Sequence, residues 1–170
     1  MTTADLASAV QEIQAKAAGE RLIAEFAHGI DNRDVDRALA TCHPRCIFTI
    51  APDRVIDGQD GIRAFVERNL AAFPEMYHWY ANISLTVTGE TTMHGECRVS
   101  ALCRAHSGTP VFEVGTEVYE FTKETGDWLI SRCALTVHRK DPWGPRPAGP
   151  QEEPHAAADP GAKGDDCLVP

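Results

Sequence analysis

Residues 76–140 carry the strongest structural signal of the chain, MYHWYANISLTVTGETTMHGECRVSALCRAHSGTPVFEVGTEVYEFTKETGDWLISRCALTVHRK. Apolar and polar side chains alternate along this segment with a period of two, which is typical of strands with one buried face. Turn signals interrupt the alternation at Thr88–Glu90, Ser107–Pro110 and Thr125–Asp127. The segment therefore predicts four long strands joined as hairpins.

Helical patterns precede these strands. Apolar residues at steps of three and four over Leu6–Ile30 predict an amphipathic helix, continuous or broken once near Gly19. Asp34 can cap a short second helix, and Asp60 can cap a third. A brief strand, Ile47–Ile50, lies between the second and third helices. This order of elements predicts an α+β domain whose curved antiparallel sheet wraps the N-terminal helices.

Residues 141–170 differ in composition from the rest of the chain. They hold seven of the eleven prolines, four glycines and a net charge of −4. Such a segment has too few large apolar side chains to build a core and is typical of disorder. We expect one domain over residues 1–140 and a disordered Pro/Gly/acidic tail over residues 141–170.

Charge and hydropathy exclude two classes of partner. The net charge of −9 repels phosphate backbones, and no basic stripe is present, so nucleic acid is not expected. No run approaches the roughly 18 apolar residues of a transmembrane helix, and Met1–Asp5 lacks the basic residues of a secretory signal. We therefore expect no membrane association and a cytoplasmic location.

The six cysteines are expected to be reduced thiols, because no secretory signal is present. The segment Cys42–Cys46 could supply two or three zinc ligands, but no second Cys/His pair follows to complete four. Small buried side chains are the favoured interpretation of these thiols. Glycine-rich phosphate loops are absent as well. The sequence thus predicts no metal and no cofactor.

Four local segments carry a family resemblance. They are Leu22–Asp34, Asp57–Ile62, His78–Asn82, and Gly115–Tyr119 followed by Gly126–Ile130. Together with the order of elements, they resemble the SnoaL-like branch of the nuclear transport factor 2-like superfamily, with its dehydratases, isomerases and polyketide cyclases. The resemblance covers roughly residues 15–140. It implies a cone-shaped curved antiparallel sheet around the N-terminal helices and mostly cofactor-free chemistry on a small molecule.

The resemblance also implies a catalytic pair. Dehydratases of this branch pair an aspartate at the end of the first helix with a histidine on the second strand, and Asp31 and His78 occupy the matching positions. Dehydration or a double-bond shift needs a base of near-neutral pKa to remove a proton from carbon, and a carboxylate fixes the tautomer of that base. The alternatives are a turn-forming Asp31 and a surface His78 on a polar strand face.

Five residues are candidates for substrate binding. Several similar dehydratases carry a pocket tyrosine near the position of Phe26, which cannot donate a hydrogen bond. The candidates for the missing donor are Tyr77, Tyr80, Tyr119 and Asn82, and the period of two places Tyr80 and Asn82 on the face of His78. Asn82 could hold an enolate oxygen. It could equally pin neighbouring strands.

Glu117 and Tyr119 complete the set. They share one strand face with Glu113, and Glu117 falls near a position that lines the pocket in similar proteins. A second pocket carboxyl group would suit acid–base work or epoxide opening. The alternative for Glu113 and Glu117 is cross-strand pairing with arginines. The candidate arginines are Arg98, Arg104 and Arg132.

These observations favour a cofactor-independent lyase or isomerase that dehydrates, shifts a double bond or cyclises a hydrophobic polycyclic or polyketide-like small molecule. The replaced tyrosine at Phe26 keeps an alternative open, a non-catalytic small-molecule-binding protein of the same fold. An adaptor role through the exposed sheet face is a third reading. Aromatic side chains on the outer sheet face also predict a homodimer.

Overall fold

The computed structural model describes residues 2–106, 108 and 110–142. Its elements in chain order are α1 (Thr3–Asp31), α2 (Val35–Leu39), β1 (Cys42–Ala51), β2 (Arg54–Asp57), α3 (Gly58–Ala72), β3 (Glu75–Val87), β4 (Thr92–Arg104), β5 (Pro110–Thr122) and β6 (Leu129–Pro142). The strands form one sheet in the order β2-β1-β6-β5-β4-β3. The α+β class is therefore confirmed.

The sheet is mixed rather than antiparallel throughout. β1 runs parallel to β6, and the other neighbouring strands are antiparallel. Through this parallel contact, the sheet of four predicted strands continues into β1. β1 is longer than the sequence predicts, and β2 pairs with its other edge. At the other end of the chain, β6 continues to Pro142, because Phe112 and Val111 still pair with Asp141 and Pro142. β6 thus runs two residues past residue 140.

α1 is continuous through Gly19, and the sequence pattern left open a break there. A Cβ atom at this position would lie 2.6 Å from the Met93 Cε and 2.9 Å from the Leu85 Cδ1. Glycine therefore lets the middle of α1 approach the sheet closely, and its role is packing rather than chain breaking.

The sequence predicts an N-cap residue for each of the two shorter helices, and one of these two predictions is confirmed. The Asp34 carboxyl caps α2 by accepting from the Arg37 backbone N–H at 3.0 Å, as predicted. α3 instead begins at Gly58 with Asp57 at its N-cap. Asp60 therefore lies within the first turn, where its charge complements the helix dipole rather than capping the helix.

Arg33 fastens the end of α1 to the end of α3. Its backbone is left-handed, with φ 61°, and its guanidinium donates to the Leu70 carbonyl at 2.7 Å and the Phe73 carbonyl at 3.4 Å. A guanidinium at a helix C-terminus satisfies carbonyls that the helix leaves open. The clamp brings Asp31, the last residue of α1, next to the start of β3.

The core lies between the helices and the concave face of the sheet. It is built from buried apolar side chains of all three helices and of every strand except β2. In the described part of the chain, no helix has both the length and the apolar content needed to cross a bilayer. From residue 143 onward, the predicted tail lies outside the described residues.

Candidate active site

Asp31 and His78 form the predicted pair. The Nδ1 of His78 lies 2.6 Å from the Asp31 Oδ1, and the His78 backbone N–H donates to the Asp31 Oδ2 at 3.0 Å. The His78 side chain is 1% exposed and the Asp31 side chain 19% exposed. One carboxyl group thus holds both the ring and the strand that carries it. The Nε2 of the same ring is buried and has no hydrogen-bond partner among the described residues.

A bulge in β3 decides which of its residues face the core. The register of β3 against β4 shifts between Ala81 and Ser84, and Asn82 has a φ of 53°. His78 and Tyr80 are partly buried before the shift, and the inward alternation changes phase after it. Asn82 is exposed, so its predicted position on the face of His78 is wrong. The physical reason is that a bulge inserts an extra residue and inverts a period-two pattern.

Glu117, Tyr119 and Tyr80 form a second buried cluster. Glu117 is fully buried, and its Oε2 accepts a hydrogen bond from the Tyr119 hydroxyl. The Oε1 is buried and has no hydrogen-bond partner within the described residues. Burial raises the pKa of Glu117 to about 7, and hydrogen bonds from Tyr119 and Tyr80 partly oppose that rise. Glu117 therefore exchanges its proton near neutral pH.

The surroundings of Glu117 are uncharged. Burial raises the pKa of the Tyr119 and Tyr80 hydroxyls well above 10, so both remain protonated donors. Burial also raises the pKa of the Cys97 thiol to about 12 and that of Cys133 well above 9. Sequence reasoning identified neither cysteine as a neighbour of the carboxyl group. The strand register could have indicated Cys97, which pairs directly with Glu117.

Phe26 lies in the core. Its side chain is 2% exposed and packs edge-on against Phe48, with ring centroids 5.6 Å apart. Within the described residues, Phe26 supplies an apolar wall of the interior. It brings no polar group to the candidate site.

Glu113 forms an ion pair that the sequence assigned differently. The Lys140 Nζ lies 2.6 Å from the Oε1 of Glu113, whose side chain is fully buried. Arg104 pairs instead with Glu75, and Arg132 with Glu120. These arginines are exposed, on the face of the sheet opposite to Glu113. The cross-strand arginine prediction is therefore wrong for Glu113, because the β5–β6 register places Lys140 beside it.

Four other histidines and the first cysteine pair do not contribute to the site. His28, His94, His106 and His138 are exposed. The Cys42 and Cys46 thiols are both buried in β1, and the Cys42 Sγ lies 3.7 Å from the Thr41 hydroxyl. In the part of the chain that the structure describes, no group of three or more His, Cys, Asp or Glu side chains is placed to hold a metal ion.

Two surface clefts lie away from the candidate residues. One, of about 720 Å³, lies between the first half of α1 and the β3–β4 turn, and includes Gln11 and Trp128. The other, of about 290 Å³, includes His43 and His94. His78 and the Glu117 cluster lie instead on the inner face of the sheet, and Asp31 reaches His78 from the end of α1.

Solved structures share this fold at low sequence identity. A candidate scytalone dehydratase from Novosphingobium aromaticivorans is 21% identical, with a TM-score of 0.70 over 82% of this chain and 94% of that one. Hexachlorocyclohexane dehydrochlorinase type 3 from Novosphingobium barchaimii is 16% identical, with a TM-score of 0.73 over 79% and 93%. An NTF2-like protein with a cystatin-like fold from Novosphingobium aromaticivorans is 17% identical, with a TM-score of 0.69 over 81% and 90%.

No curated protein sequence matches the chain. A family model does match, over residues 11–134, and it describes the SnoaL-like domain. The matched residues include α1 from its third turn, all elements from α2 to β5 and the first six residues of β6. The chain therefore belongs to the SnoaL-like domain family.

Proposed function

We propose that this protein is a cofactor-independent lyase or isomerase that acts on a hydrophobic polycyclic or polyketide-like small molecule. The observation that carries the proposal is the buried His78 ring, whose Nδ1 bonds Asp31 while its Nε2 has no partner among the described residues. A buried imidazole nitrogen with no partner is suited to accept a proton from a substrate.

The hydrogen bond to Asp31 determines which ring nitrogen of His78 carries the proton. An ionised carboxylate only accepts hydrogen bonds, so the nitrogen facing Asp31 carries the proton in the neutral ring. The Nε2 then presents a lone pair, and it becomes the base. When Nε2 takes up a proton, the Asp31 charge stabilises the resulting imidazolium. The Asp31–His78 geometry therefore supports removal of a proton from carbon without a metal or an organic cofactor.

The surroundings support an apolar substrate and an elimination or a proton shift. The interior of the fold is apolar and contains buried aromatic side chains, among them Phe26, Phe48 and Phe121. Two of the similar structures are described as a dehydratase and a dehydrochlorinase, which are names for eliminations. Dehydration needs a base that takes a proton from one carbon and returns it to the departing hydroxyl group. His78 alone can perform both transfers.

Turnover of a panel of hydroxylated polycyclic ketones tests the proposal. H78A and D31N should each lower kcat by about 10²- to 10⁴-fold, because one removes the base and the other its orienting charge. H94A is the matched control, since His94 is exposed on β4, and it should keep wild-type turnover. Wild-type turnover in both H78A and D31N would exclude the mechanism.

Ligand binding without turnover is the second candidate function. Phe26 favours it, because the aromatic ring packs in the core against Phe48 and has no hydroxyl to polarise a leaving group. A thermal-shift screen with lipophilic ligands, followed by a product assay on every ligand that binds, separates the two functions. Binding that never leads to product, and that H78A does not alter, would support the binding protein.

We also propose a homodimer through the outer face of the sheet. Tyr77 and Trp79 on β3 are 49% and 53% exposed, and Val118 on β5 is 45% exposed. A two-fold contact would cover this apolar surface. Sedimentation should give twice the 18.5 kDa chain mass, and W79D should shift the protein toward that single-chain mass. A wild-type mass of one chain at micromolar concentration contradicts the dimer.

A further inference from the structure

The junction between α3 and β3 consists of two residues. Phe73 is the C-cap of α3, Pro74 follows it, and β3 begins at Glu75. Proline has no backbone N–H and disfavours a helical conformation in the residue before it, so α3 ends here. The last carbonyl groups of a helix have no donor within the helix. Water or donors from another element must therefore bind the carbonyls at the end of α3.

Arg33, just beyond the end of α1, supplies such donors. Its guanidinium donates to the Leu70 carbonyl at 2.7 Å. Longer bonds of 3.4 Å and 3.5 Å reach the carbonyls of Phe73 and Pro74, which form the junction itself. A guanidinium carries several N–H donors in one fixed plane, which lets a single side chain hold several acceptors. Arg33 therefore fixes the point at which β3 leaves α3.

The backbone around Arg33 fixes its position relative to Asp31. Arg33 has a left-handed backbone with a φ of 61°. Its N–H donates to the Ile30 carbonyl at 3.0 Å, and the N–H of Asp34 donates to the Gly29 carbonyl at 2.8 Å. These bonds wrap the chain around the last turn of α1, as in a left-handed helix terminus. The Asp31 carboxyl group and the Arg33 guanidinium thus project from one rigid corner of the chain.

This corner is attached to the α3–β3 segment at two points. The Asp31 carboxyl group bonds the ring and the backbone N–H of His78, and Arg33 bonds the carbonyls before β3. One attachment alone would act as a pivot, about which the carboxyl group could turn away from the ring. Two attachments fix both the distance and the direction between the end of α1 and the start of β3. The orientation of Asp31 toward His78 therefore depends on Arg33.

We propose that Arg33 is a positioning residue for the Asp31–His78 pair. Its guanidinium holds the α3–β3 junction against the end of α1, and this keeps the Asp31 carboxyl group bonded to the Nδ1 proton of His78. The chemical purpose of that geometry rests on the proposed function, in which the opposite ring nitrogen is the base. A displacement of about 1 Å in a catalytic group can lower the rate about 10²-fold, so the clamp affects turnover through the pair.

Replacing Arg33 by glycine removes the guanidinium and keeps the backbone conformation. Glycine adopts a φ of 61° without strain, and Arg33 is exposed, so R33G should fold. The readout is the Nδ1 proton of His78, which a short bond to a carboxylate shifts far downfield in the proton NMR spectrum. H78A assigns this signal by its absence. In R33G the proton should exchange with water about tenfold faster than in the wild type, because the pair opens more often.

Turnover of the panel of hydroxylated polycyclic ketones gives a second readout. R33G should lower kcat about 10- to 100-fold, while KM stays within about twofold of the wild-type value. This split is expected because the Arg33 guanidinium orients the base and does not bind the substrate.

N32A is the matched control. Asn32 lies between Asp31 and Arg33, and its side-chain amide donates to the His28 carbonyl at 2.8 Å, within α1. N32A therefore removes a side chain from the same helix end without removing the clamp. It should leave both the exchange of the Nδ1 proton and kcat unchanged. The amide proton of Val99, buried in the middle of β4, reports global opening, and R33G should accelerate its exchange less than that of the Nδ1 proton.

The inference is overturned if R33G leaves the exchange of the Nδ1 proton unchanged, or if N32A accelerates it as much as R33G does. Equal acceleration of the Nδ1 and Val99 protons in R33G would also overturn it, because the effect would then be general unfolding. Turnover keeps the two proposals apart. Exchange that depends on Arg33 in a protein without turnover counts against the enzyme alone, whereas turnover that depends on His78 and not on Arg33 counts against the positioning role alone.

Discussion

Glu113 and Glu117 lie on the same face of β5, and both side chains are fully buried. The Glu113 carboxyl group lies 2.6 Å from the Lys140 ammonium group. The Glu117 carboxyl group is instead bonded by the hydroxyl of Tyr119. The first therefore has a cation beside it, while the second has a neutral donor.

The difference shows that burial alone does not decide the charge of a carboxyl group. Moving a carboxylate out of water is costly, and a nearby opposite charge offsets part of that cost. Lys140 supplies this charge to Glu113. Glu117 has only hydrogen bonds from Tyr119 and Tyr80, so its pKa rises to about 7. The same strand thus carries an ion pair at Glu113 and, four residues on, a carboxyl group that a neutral hydroxyl bonds at Glu117.

Removing the cation should have the largest effect on stability. In K140M the buried Glu113 carboxylate loses the ammonium group beside it, and we expect the free energy of unfolding to fall by about 3 kcal/mol. This value is at the low end for a broken buried pair, because Lys140 is 29% exposed. Urea denaturation at pH 7 measures the change.

Two further variants make this prediction specific. K123M removes an exposed lysine that follows β5 and should change stability by less than about 0.5 kcal/mol. The double variant E113Q/K140M should recover much of the loss, because no buried charge then remains at this position. Equal stabilities of K140M and K123M would show that Glu113 does not depend on Lys140.

Glu117 should make stability depend on pH in the opposite sense from most carboxyl groups. Its folded pKa of about 7 lies above the ordinary value of 4.5, so the folded state holds a proton that the unfolded state has released. Its contribution is complete below pH 4.5 and is lost as the pH rises through 7. Between pH 5 and pH 8 the wild type should lose about 2 kcal/mol that E117Q keeps.

The free energy of unfolding, measured by urea at half-unit pH intervals, gives this difference. E120Q controls for the loss of a carboxylate, since Glu120 is exposed on the same strand, and its curve should run parallel to the wild type. A wild-type curve parallel to that of E117Q would show that Glu117 is already ionised at pH 5.

The sequence predicted the four long strands and the Asp31–His78 pair for different reasons. The strands follow from a period-two pattern broken at clear turn signals, which is a local property. The pair lies 47 positions apart in sequence, and only the family resemblance indicated it. The Arg33 clamp brings together the end of α1 and the start of β3, which carry the pair. No local sequence pattern indicates this clamp, because it depends on the carbonyls at the end of α3.

The parallel β1–β6 contact and the bulge in β3 were not predictable in the same way. The partner of β1 is set by the whole sheet rather than by Ile47–Ile50. At Asn82 the alternation of side chains continues in the sequence while its phase changes in the structure, so period counting placed the residue on the wrong face. Asparagine adopts a left-handed backbone more readily than most residues, and its presence at position 82 is the one sequence feature compatible with such a bulge.

Substitution at the bulge tests how firmly it holds Tyr80 beside Glu117. Asn82 has a φ of 53°, which glycine tolerates and a β-branched residue does not. N82V should lower the free energy of unfolding by about 1 kcal/mol, while N82G should stay within about 0.5 kcal/mol of the wild type. Denaturant titration of both variants measures this, and equal losses would mean that the side-chain amide, rather than the backbone, supports the bulge.

The smallest expected effect separates the two tyrosines that support Glu117. Hydrogen bonds from Tyr119 and Tyr80 both lower the pKa of Glu117, and the bond from Tyr119 has the larger effect. Y119F should therefore move the Glu117 titration to higher pH, and Y80F should move it in the same direction by less. The midpoint comes from the pH dependence of unfolding, measured as the difference between each variant and its own E117Q derivative. A downward shift in Y119F would mean that the phenol hydroxyl destabilises the carboxylate. Such a result would contradict the assignment of Tyr119 as the donor to the Oε2.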